Sequence, residues 1–397
     1  MKALFYNHTG HVSGAERVIL LALAGLERDR IQATVVSPRG PLTGELDDLG
    51  IPCLEIGELN ARFTIRPDRL LSYAASLIRI VVDLRSKILI SDPDVIHANS
   101  IRAGIAALLA SFGTMRPVIW HVHDEMKRHP LSTAIRFLVL FSKRCRIIAV
   151  SNATAASFAG RLLKTSGIAV IHNAVDLKKI DSIRSGRDLR LKLGFGTEDF
   201  IFGAVGQITP RKGQLEVIVA FAKVAKQISA IKLVIVGAPI FNNDHLYQLK
   251  LEEAVKALGI EDKVIFLGQR SDAIAIIKEI DALIINSRSE AFVMVAIEAM
   301  ACRTPVIATD VGGTREMIEH QYNGLLVNFG DEGQLIAAMI TVHKNERLRE
   351  FFKDRSREKV EKLLNAKRFT RKFQVILIET TIPLLSPRVQ SQLSADA

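Results

Sequence analysis

The sequence is poor in the features that mark disulfide-stabilised, zinc-binding and membrane-spanning proteins. Only three of its 397 residues are cysteine, and these residues, Cys53, Cys145 and Cys302, are far apart and form no CxxC pair. Their spacing argues against a disulfide framework or a zinc knuckle and favours a reducing compartment. No stretch reaches the roughly 18 apolar residues that a membrane-spanning helix needs. The first residues, MKALFYNHTG, lack the pattern of a signal peptide, so we expect a cytoplasmic protein.

Two classes of ligand site are also missing. The chain has no GxxxxGK[ST] motif, so it is not a P-loop protein. It has no zinc-finger spacing and no basic residues interleaved with aromatic ones, so nucleic acid is not an expected partner. The net charge is nevertheless +11: residues 1–180 hold 23 Lys and Arg against 15 Asp and Glu, which is +8, and the remainder contributes +3. The basic first half indicates an anionic partner, such as a membrane surface or substrate, or only solvated surface charge.

Short apolar, β-branched runs recur along the chain, separated by longer segments with helical character. Those of the first half are KALFYN, QATVVS, DVIHANS, PVIWHVH, CRIIAVS and IAVIHN, and those of the second half are FIFGAVG, KLVIVG, KVIFLG, ALIIN, PVIAT and GLLVN. Such runs are typical of buried parallel strands, and their alternation with helices favours βαβ units. We predict an α/β protein with two doubly wound domains, 1–176 and 177–370. Residues 371–397 then form a C-terminal helix that returns to the N-terminal domain, and a flexible tail.

Ligands of open parallel sheets bind outside the carboxyl ends of the strands, so the residues after each strand are the candidate site. After ALIIN come Glu290 and Glu298, which bracket seven apolar residues in SEAFVMVAIEAMA. Residues eight apart in a helix differ by about 80° and about 12 Å, so one face does not hold both. We predict that Glu290 lies in the loop, that the helix begins near Phe292 or Val293, and that Glu298 lies in its second turn.

The N-terminus of that helix favours an anion such as phosphate, whereas carboxylates beside it suit sugar or ribose hydroxyls. Spacing alone also allows a capping Glu290 and a salt-bridged Glu298. A second segment, TPRKG, places Arg211 and Lys212 directly after a strand, as phosphate ligands or as a surface turn. Consecutive glycines at 312–313 expose backbone amides to a ligand or form an ordinary strand-to-helix turn.

Two histidines follow a strand of the first half. His121 and His123 alternate in WHVHDE, so their rings share one strand face if the strand extends that far. They could bind metal together with Asp124, bind a hydroxyl, or belong to the core. A metal site is the least favoured, because no third ligand stands at a fixed spacing. We prefer one histidine in contact with a substrate hydroxyl.

Taken together, these motifs resemble the retaining glycosyltransferases of family 4, which have the GT-B fold: two Rossmann-like domains facing an interdomain cleft. The resemblance runs over nearly the whole chain. Its strongest part is SEAFVMVAIEAMACRTPVIATDVGGTREMI (289–318), which is similar to the family signature of two glutamates separated by seven residues and followed by PVIA and GG. It is supported by SGAER, DPDVIHANS, HVHD, AVSNAT, IHNAVDL, VGQITPRKG and VIFLGQRSD.

The resemblance implies roles for residues around the donor sugar and its diphosphate. Glu290 would contact hydroxyls of the donor sugar, beside the backbone N–H groups of Phe292 and Val293. Lys212 would neutralise the diphosphate, helped by Arg211.

It also implies roles for residues around the ribose, the base and the transferred sugar. Glu298 would hold the ribose hydroxyls, and Gly268 and Arg270 would lie near the base. Gly14 would let a first-domain loop approach the leaving phosphate, and His123 would hydrogen-bond the transferred sugar near its anomeric centre.

An enzyme of this kind moves a sugar from a nucleotide-sugar donor to a hydroxyl of a cell-envelope, lipopolysaccharide or polysaccharide acceptor. The resemblance implies that it needs neither a metal nor another cofactor. The basic first domain would then dock on the anionic cytoplasmic face of the membrane. Residues 69–90 could form an interfacial helix there, or an ordinary amphipathic core helix. The alternatives are an epimerase or phosphorylase-like enzyme of the same fold, or a non-catalytic module that binds sugar nucleotides.

Four positions, in three segments, depart from the family pattern. Ala291 and Val293 stand where the family often has glycine, so the backbone could approach the donor sugar differently. Gln207 stands where arginine is common, which leaves Lys212 and Arg211 to carry the phosphate charge. Ser13 stands where the family often has a second glycine before the first helix.

Overall fold

The computed structural model describes residues 1–59, 67–126, 129–142, 144–184, 188–240 and 242–381. The chain divides into two compact units. Unit 1 contains Met1–Asn173 and the residues from Ala366 on, and unit 2 contains Ala174–Asn365. These boundaries lie three and five residues before the predicted ends at 176 and 370. The tail predicted after the C-terminal helix, from residue 382 on, lies outside the described residues.

Unit 1 is built on a seven-stranded parallel sheet of order β3-β2-β1-β4-β5-β6-β7. Its strands are β1 (Lys2–Tyr6), β2 (Gln32–Ser37), β3 (Cys53–Glu55), β4 (Val95–Ala98), β5 (Val118–Val122), β6 (Cys145–Ala149) and β7 (Ile168–Val170). Its helices are α1 (Gly14–Ala24), α2 (Pro41–Asp48), α3 (Pro67–Ser91), α4 (Ile101–Ser111), α5 (Pro130–Phe141), α6 (Asn152–Ala159) and α16 (Ala366–Thr381), with a 3-10 turn at Thr165–Gly167.

Unit 2 is built on a six-stranded parallel sheet of order β10-β9-β8-β11-β12-β13. Its strands are β8 (Phe200–Val205), β9 (Ile231–Val236), β10 (Val264–Gly268), β11 (Ala282–Ile285), β12 (Val306–Thr309) and β13 (Leu325–Val327). Its helices are α7 (Leu177–Ser182), α8 (Asp188–Lys192), α9 (Gln214–Ala225), α10 (Asn242–Ala257), α11 (Ala273–Glu279), α12 (Met294–Ala301), α13 (Thr314–Met317), α14 (Glu332–Lys344) and α15 (Glu346–Leu363), with a 3-10 turn at Pro210–Lys212.

The apolar runs predicted twelve of these thirteen strands, because a strand buried on both faces must be apolar throughout. The β4 and β5 strands, for example, are fully buried along their whole length. The missed strand is β3, a half-exposed three-residue segment at the sheet edge. Its sequence, CLE, is too short and too polar to show a buried-strand pattern.

The two sheets share one topology. In each, the first strand of the unit lies in the middle, and the order reverses beside it: between β1 and β4 in unit 1, and between β8 and β11 in unit 2. Crossovers on the two sides of such a point leave in opposite directions, which opens a crevice at the carboxyl ends of the two strands. The loops that follow β1, β4, β8 and β11 are therefore the places to look for ligand-binding residues.

The C-terminal helix α16 packs into unit 1. Its buried residues Phe369, Phe373 and Leu377 recur every four positions and so form one helical face. The Phe373 ring lies 6.3 Å from that of Phe5 and 5.1 Å from that of His97, measured between centroids. At the end of the helix, Glu379 accepts a hydrogen bond of 2.7 Å from Arg146 of β6. The start of the chain and its last described helix thus share one core.

Candidate active site

Two loops of unit 2 meet where its strand order reverses. The loop after β8 contains the turn Pro210–Lys212 and ends at Gly213, whose φ of 64° is in the left-handed region. A Cβ atom at Gly213 would lie 2.2 Å from the carbonyl oxygen of Asn286, the first residue after β11. The Asn286 amide in turn donates to the Gly213 carbonyl at 3.2 Å. Glycine is therefore required at this position, because any side chain would force the two loops apart.

This junction brings together three of the residues that the sequence predicted. Lys212 Nζ donates to Glu290 Oε1 at 2.5 Å, and Arg211 Nη1 lies 3.3 Å from the same oxygen. Arg211 also donates to the Ser289 carbonyl at 3.0 Å and accepts from the Arg288 backbone N–H at 2.8 Å. Lys212 and Glu290 are 78 residues apart in the sequence, and together with Arg211 they form one cluster in the fold.

The carboxylate of this cluster is buried and charged. Only 8% of Glu290 is exposed, and burial by itself raises the pKa of its carboxyl group. The positive charges of Lys212 and Arg211 outweigh burial and hold that pKa below its usual value. The Glu290 carboxylate is therefore ionised at neutral pH despite its burial, because two cations lie beside it.

The helix after Glu290 begins as predicted. Val293 has extended backbone, with φ −92° and ψ 100°, and precedes the first residue of α12, Met294. Glu298 is half-exposed and lies in the second turn. The Glu290 carbonyl accepts from the backbone N–H of Gly313, at the glycine pair after β12, over 3.0 Å. The usual glycine is not needed at position 293, since the backbone there suits a β-branched residue.

Three consecutive strands of unit 2 end in glycines with positive φ: Gly206 after β8, Gly237 after β9 and Gly268 at the end of β10. A Cβ atom at Gly237 would lie 1.8 Å from the Gly206 carbonyl oxygen, and the Gly237 N–H donates to the Gly268 carbonyl at 2.8 Å. A side chain at Gly237 would therefore force the loops after β8 and β9 apart. Arg270 lies beyond this row, exposed and hydrogen-bonded to Asp272 at 2.7 Å.

The departure at Gln207 is matched by a buried partner. The Gln207 side-chain amide donates to Asp244 at 2.9 Å. The Gln207 backbone carbonyl accepts from the side-chain amide of Gln214 at 2.8 Å. Asp244 is only 7% exposed. The neutral amide is thus held on α10, and the cations next along the loop are Arg211 and Lys212.

Unit 1 places histidines at its own switch point. His121 is the last residue but one of β5, which ends at Val122, and His123 directly follows the strand; the two ring centroids are 4.1 Å apart. The two rings lie side by side, as the alternation predicted, although the strand itself ends before His123. His97 of β4 contacts His121 through its Nε2, 3.3 Å from His121 Nδ1. His123 Nε2 lies 2.9 Å from the Oδ1 atom of Asn99, the first residue after β4.

These histidines are neutral. Burial lowers the pKa of His97 and of His123 to about 3 each, and it lowers that of His121 well below 6.5. A charged imidazole in such surroundings would lose its hydration without gaining an anionic partner. Within the described ranges, no three His, Cys, Asp or Glu side chains are grouped so that they could hold a metal ion.

Gly14, the other predicted residue of unit 1, is the first residue of α1. The residue before it, Ser13, donates its backbone N–H to the Glu16 carboxylate at 3.0 Å, which is half of a capping box. The Ser13 hydroxyl also contacts that carboxylate. A serine in place of a second glycine is therefore used to fix the start of this helix.

The structure brings Arg211, Lys212 and Glu290 into contact and places Gly14 and His123 in the other unit. Several polar residues that sequence reasoning did not single out complete the two switch points. Each lies within two residues of the end of a strand, the one signal that could have identified them: Asn7, His97, Asn99, Asn286 and Ser287.

The sequence comparisons agree with this architecture. The family "Glycosyltransferase Family 4" matches residues 12–179, and the family "Glycosyl transferases group 1" matches residues 186–359. UDP-Gal:alpha-D-GlcNAc-diphosphoundecaprenol alpha-1,3-galactosyltransferase of Escherichia coli is 26% identical over 83% of this chain and 85% of its own length. N-acetyl-alpha-D-glucosaminyl L-malate synthase of Bacillus anthracis is 30% identical over 53% of each chain.

A solved structure agrees as well. Anabaena Alr3699/HepE in complex with UDP-glucose superimposes with a TM-score of 0.80 and 27% identity, over 96% of this chain and all of that one. The two matched families together span both units, and the strand orders are those of paired Rossmann-like domains. The chain therefore belongs to glycosyltransferase family 4, has the GT-B fold and is an enzyme of the hexosyltransferase type.

Proposed function

We propose that the chain transfers a hexose from a nucleotide-sugar donor to a hydroxyl of a cell-envelope, lipopolysaccharide or polysaccharide acceptor, with retention of anomeric configuration. The donor class is supported by the Anabaena structure, which holds UDP-glucose, and by the Escherichia coli relative, a UDP-galactose enzyme. The acceptor class is supported by the same relative, which acts on a sugar linked to diphosphoundecaprenol.

The observation that carries this proposal is the cluster of Lys212, Arg211 and Glu290 at the switch point of unit 2. A nucleoside diphosphate needs positive charge at its phosphates, and a sugar needs acceptors for its hydroxyl hydrogens. The cluster offers both, because its cations lie directly beside its carboxylate, and the burial of Glu290 strengthens the interactions of that carboxylate. In our proposal Glu298, one and a half turns into α12, accepts from the ribose hydroxyls.

In this proposal the reaction uses only side chains and backbone groups of the protein. The acceptor oxygen forms a bond to the anomeric carbon while the bond from that carbon to the diphosphate breaks, and both events occur on the same sugar face. The hydroxyl proton passes to the departing diphosphate oxygen. Lys212 and Arg211 stabilise the charge left on the diphosphate, and His123 orients the sugar. We propose that no metal or other cofactor takes part, since the two cations and the start of α12 supply the charge.

The first experiment is a thermal-shift panel with UDP-glucose, UDP-galactose, ADP-glucose and GDP-mannose. A ligand at about 100 times its dissociation constant adds roughly 2.7 kcal/mol of stability, which is readily seen. Lys212→Met is the matched variant, because it keeps the chain length and removes the charge. No response to any of the four, or the same response in the variant, would contradict the donor site.

The second experiment determines the configuration of the product. NMR of the glycoside formed from the donor that binds should show the same anomeric configuration as the donor. Free nucleoside diphosphate should appear only when an acceptor is present. An inverted product would contradict the retaining mechanism.

We also propose that unit 1 docks on an anionic membrane through the outer surface of α3, α4 and α5. These helices bury their inner faces in one cluster with the sheet. Their outer surface exposes large apolar side chains, and we call it the apolar helix face: Leu71, Ile78, Val82, Leu89, Ile90, Leu109, Phe112, Met115, Leu131, Phe137, Leu140 and Phe141. Ile90, Phe112 and Phe141 are each more than 80% exposed. So large an exposed apolar surface is typical of an interaction site.

The charges beside this surface favour lipid headgroups as its partner. Arg85 donates to the carbonyls of Ala110 and Phe112 at 3.0 and 2.6 Å, and Arg144 donates to the Met115 carbonyl. Within the described part of the chain, neither arginine forms an ion pair, so both retain net positive charge next to the apolar residues. Apolar insertion combined with cations is the chemistry of peripheral binding to anionic lipid. In the described ranges no helix is both long and apolar enough to cross a bilayer.

Sedimentation with vesicles tests the docking surface. Phosphatidylglycerol vesicles should retain the protein at low salt, and phosphatidylcholine vesicles should retain much less. Phe112→Ser with Phe141→Ser should weaken retention, whereas Leu191→Ser, at an equally exposed apolar residue of unit 2, should not. Equal loss in both variants, or no retention on anionic vesicles, would contradict the proposed docking.

A further inference from the structure

A directed chain of hydrogen bonds ends at His123. Asn7, buried at the end of β1, donates its side-chain amide to the Thr9 carbonyl at 2.6 Å. Asn99 donates its own amide to Asn7 Oδ1 at 3.1 Å and to the Ala15 carbonyl at 3.3 Å. The remaining side-chain oxygen of Asn99 faces His123 Nε2 at 2.9 Å. These hydrogen bonds link Thr9, Asn7, Asn99 and His123 in series.

Two backbone carbonyls fix the direction of this series. A carbonyl can only accept, so the atom of Asn7 that faces the Thr9 oxygen must be the NH₂ group. By the same reasoning, the atom of Asn99 that faces the Ala15 oxygen must be its NH₂ group. Neither amide can be turned over without placing two acceptors against each other in a buried site. Asn7 and Asn99 are 1% and 0% exposed, so water cannot compensate for such a reversal.

The fixed direction determines which nitrogen of His123 carries the proton. Asn99 Oδ1 can only accept, so His123 Nε2 must bear a hydrogen. The ring stays neutral, because it packs against the buried His121 ring, 4.1 Å away between centroids, and no carboxylate of the described residues pairs with His121. A neutral imidazole protonated on Nε2 has a lone pair on Nδ1. Its free nitrogen is then a hydrogen-bond acceptor.

We propose that Asn99 is a positioning residue that fixes the tautomer of His123, so that Nδ1 accepts a hydrogen bond from a hydroxyl of the bound sugar. The polarity selects a donating O–H or N–H group at that place and disfavours a carboxylate or phosphate oxygen, which would face a lone pair. The hydrogen bond from a sugar hydroxyl rests on the proposed function, whereas the tautomer of His123 does not.

The tautomer can be read directly in solution. Long-range ¹H–¹⁵N correlation spectra of the full chain labelled with ¹⁵N-histidine distinguish a protonated from an unprotonated ring nitrogen, and His123→Gln assigns the signal. His320 is an internal reference, because its Nδ1 accepts from the Leu326 backbone N–H at 3.0 Å and so must be unprotonated. Spectra recorded about two pH units above the ordinary histidine pKa of 6.5 should show the same pattern for His123, with Nδ1 unprotonated and Nε2 protonated. Protonation at Nδ1 would overturn the proposal.

Two variants of Asn99 test its role. Asn99→Asp places a carboxylate beside His123 Nε2, which favours the doubly protonated ring. We expect His123 to titrate in a higher pH range and Nδ1 to become a donor as the pH falls. Asn99→Ala removes the acceptor and should give a mixture of tautomers. A pattern at His123 unchanged in both variants would overturn the proposal, and it can be read even if one of them folds poorly.

Calorimetry with UDP-glucose and with UDP separates this inference from the proposed function. Loss of one neutral hydrogen bond should weaken UDP-glucose binding to Asn99→Asp by up to about tenfold at low pH, with recovery at high pH. UDP lacks the sugar, so its affinity should be the same in both proteins. A merely structural role would weaken both ligands at every pH. If the tautomer is as stated but neither ligand binds the wild type, the UDP donor is wrong and the role of Asn99 stands.

Discussion

The two units share a strand order, but they place opposite kinds of chemistry at the point where that order reverses. In unit 1 the loop after β4, at this point, and the loop after β5, the next strand of the sheet, bring together an amide and a neutral imidazole, Asn99 and His123. In unit 2 the loops after β8 and β11 bring together two cations and a carboxylate, Arg211, Lys212 and Glu290. Topology therefore selects the place of the site in each unit, and the residues after the strands select its chemistry.

The difference follows from what surrounds each titratable group. His97 and His121 are buried, and in the part of the chain that the structure describes neither has a charged partner, so each is neutral. Glu290 is buried almost as deeply, yet it stays ionised because Lys212 donates to it. Neutral groups of fixed polarity suit sugar hydroxyls, and ionised groups suit a diphosphate. Each of the following tests bears on one or both sides of this comparison.

Acid should unfold unit 1 before unit 2. Burial lowers the pKa of His97 to about 3 and that of His121 well below 6.5, so an unfolded chain takes up protons that the fold excludes. The stability of unit 1 should fall as pH falls below about 6.5, by at most about 1.4 kcal/mol per pH unit for each histidine. The pKa of Glu290 is lower in the folded protein than its ordinary value of 4.5. Its ionised form therefore stabilises unit 2 above about pH 4.5, and this contribution is lost as the pH falls through the folded pKa.

Trp120 makes this measurable, because it is the one tryptophan of the sequence and is fully buried in unit 1. Its fluorescence should report an acid transition at higher pH than the loss of total helix content seen by circular dichroism. A single coincident transition would show that the two units do not differ in this way.

Phe373→Ala should destabilise unit 1 by about 3–5 kcal/mol, as expected for a fully buried phenylalanine. The ring packs on Phe5 and His97, so its removal leaves a cavity between α16 and the sheet. Urea unfolding followed by Trp120 fluorescence should shift to lower denaturant. Val375→Ala, at a partly exposed position of the same helix, is the control and should have little effect. Equal shifts would mean that the effect is not one of core packing.

Lys212→Ala should lower kcat/KM by about 10²–10³, or roughly 2.7–4 kcal/mol, as for loss of a group that stabilises developing charge. Glu290→Ala should have an effect of similar size, and the double variant should lose less than the sum because the two side chains contact each other. Lys223→Ala removes a surface ion pair with Glu332 in the same unit and should leave turnover intact. Unchanged turnover in both Lys212→Ala and Glu290→Ala would refute the site.

The smallest effect is expected from metal removal. Lys212 and Arg211 carry the phosphate charge in our proposal, so treatment with EDTA followed by gel filtration should leave kcat/KM unchanged within error. The measurement is the same transfer assay before and after treatment. A loss of turnover that Mg²⁺ or Mn²⁺ restores would show that a metal ion, and not Lys212 and Arg211 alone, neutralises the diphosphate.

Much of the fold could be predicted, because buried parallel strands are continuous apolar runs. The start of α12 near Val293 and the separation of Glu290 from Glu298 also followed from helical geometry. The edge strand β3 could not be predicted, because its three residues are half-exposed and carry no apolar run. The first residue of α16, Ala366, lies five residues before the predicted start at 371, because helix ends depend on packing and capping that periodicity does not report.

The sequence by itself determined the two series of strands, the family resemblance and the identity of the charged residues that follow β8 and β11. Only the tertiary structure decided which of these residues touch. Lys212 meets Glu290 across 78 residues because β8 and β11 are neighbours in the sheet. The sequence likewise did not determine the direction of the hydrogen bonds that link Asn7, Asn99 and His123. This direction depends on two backbone carbonyls whose positions exist only once β1 and β4 have paired and α1 has formed.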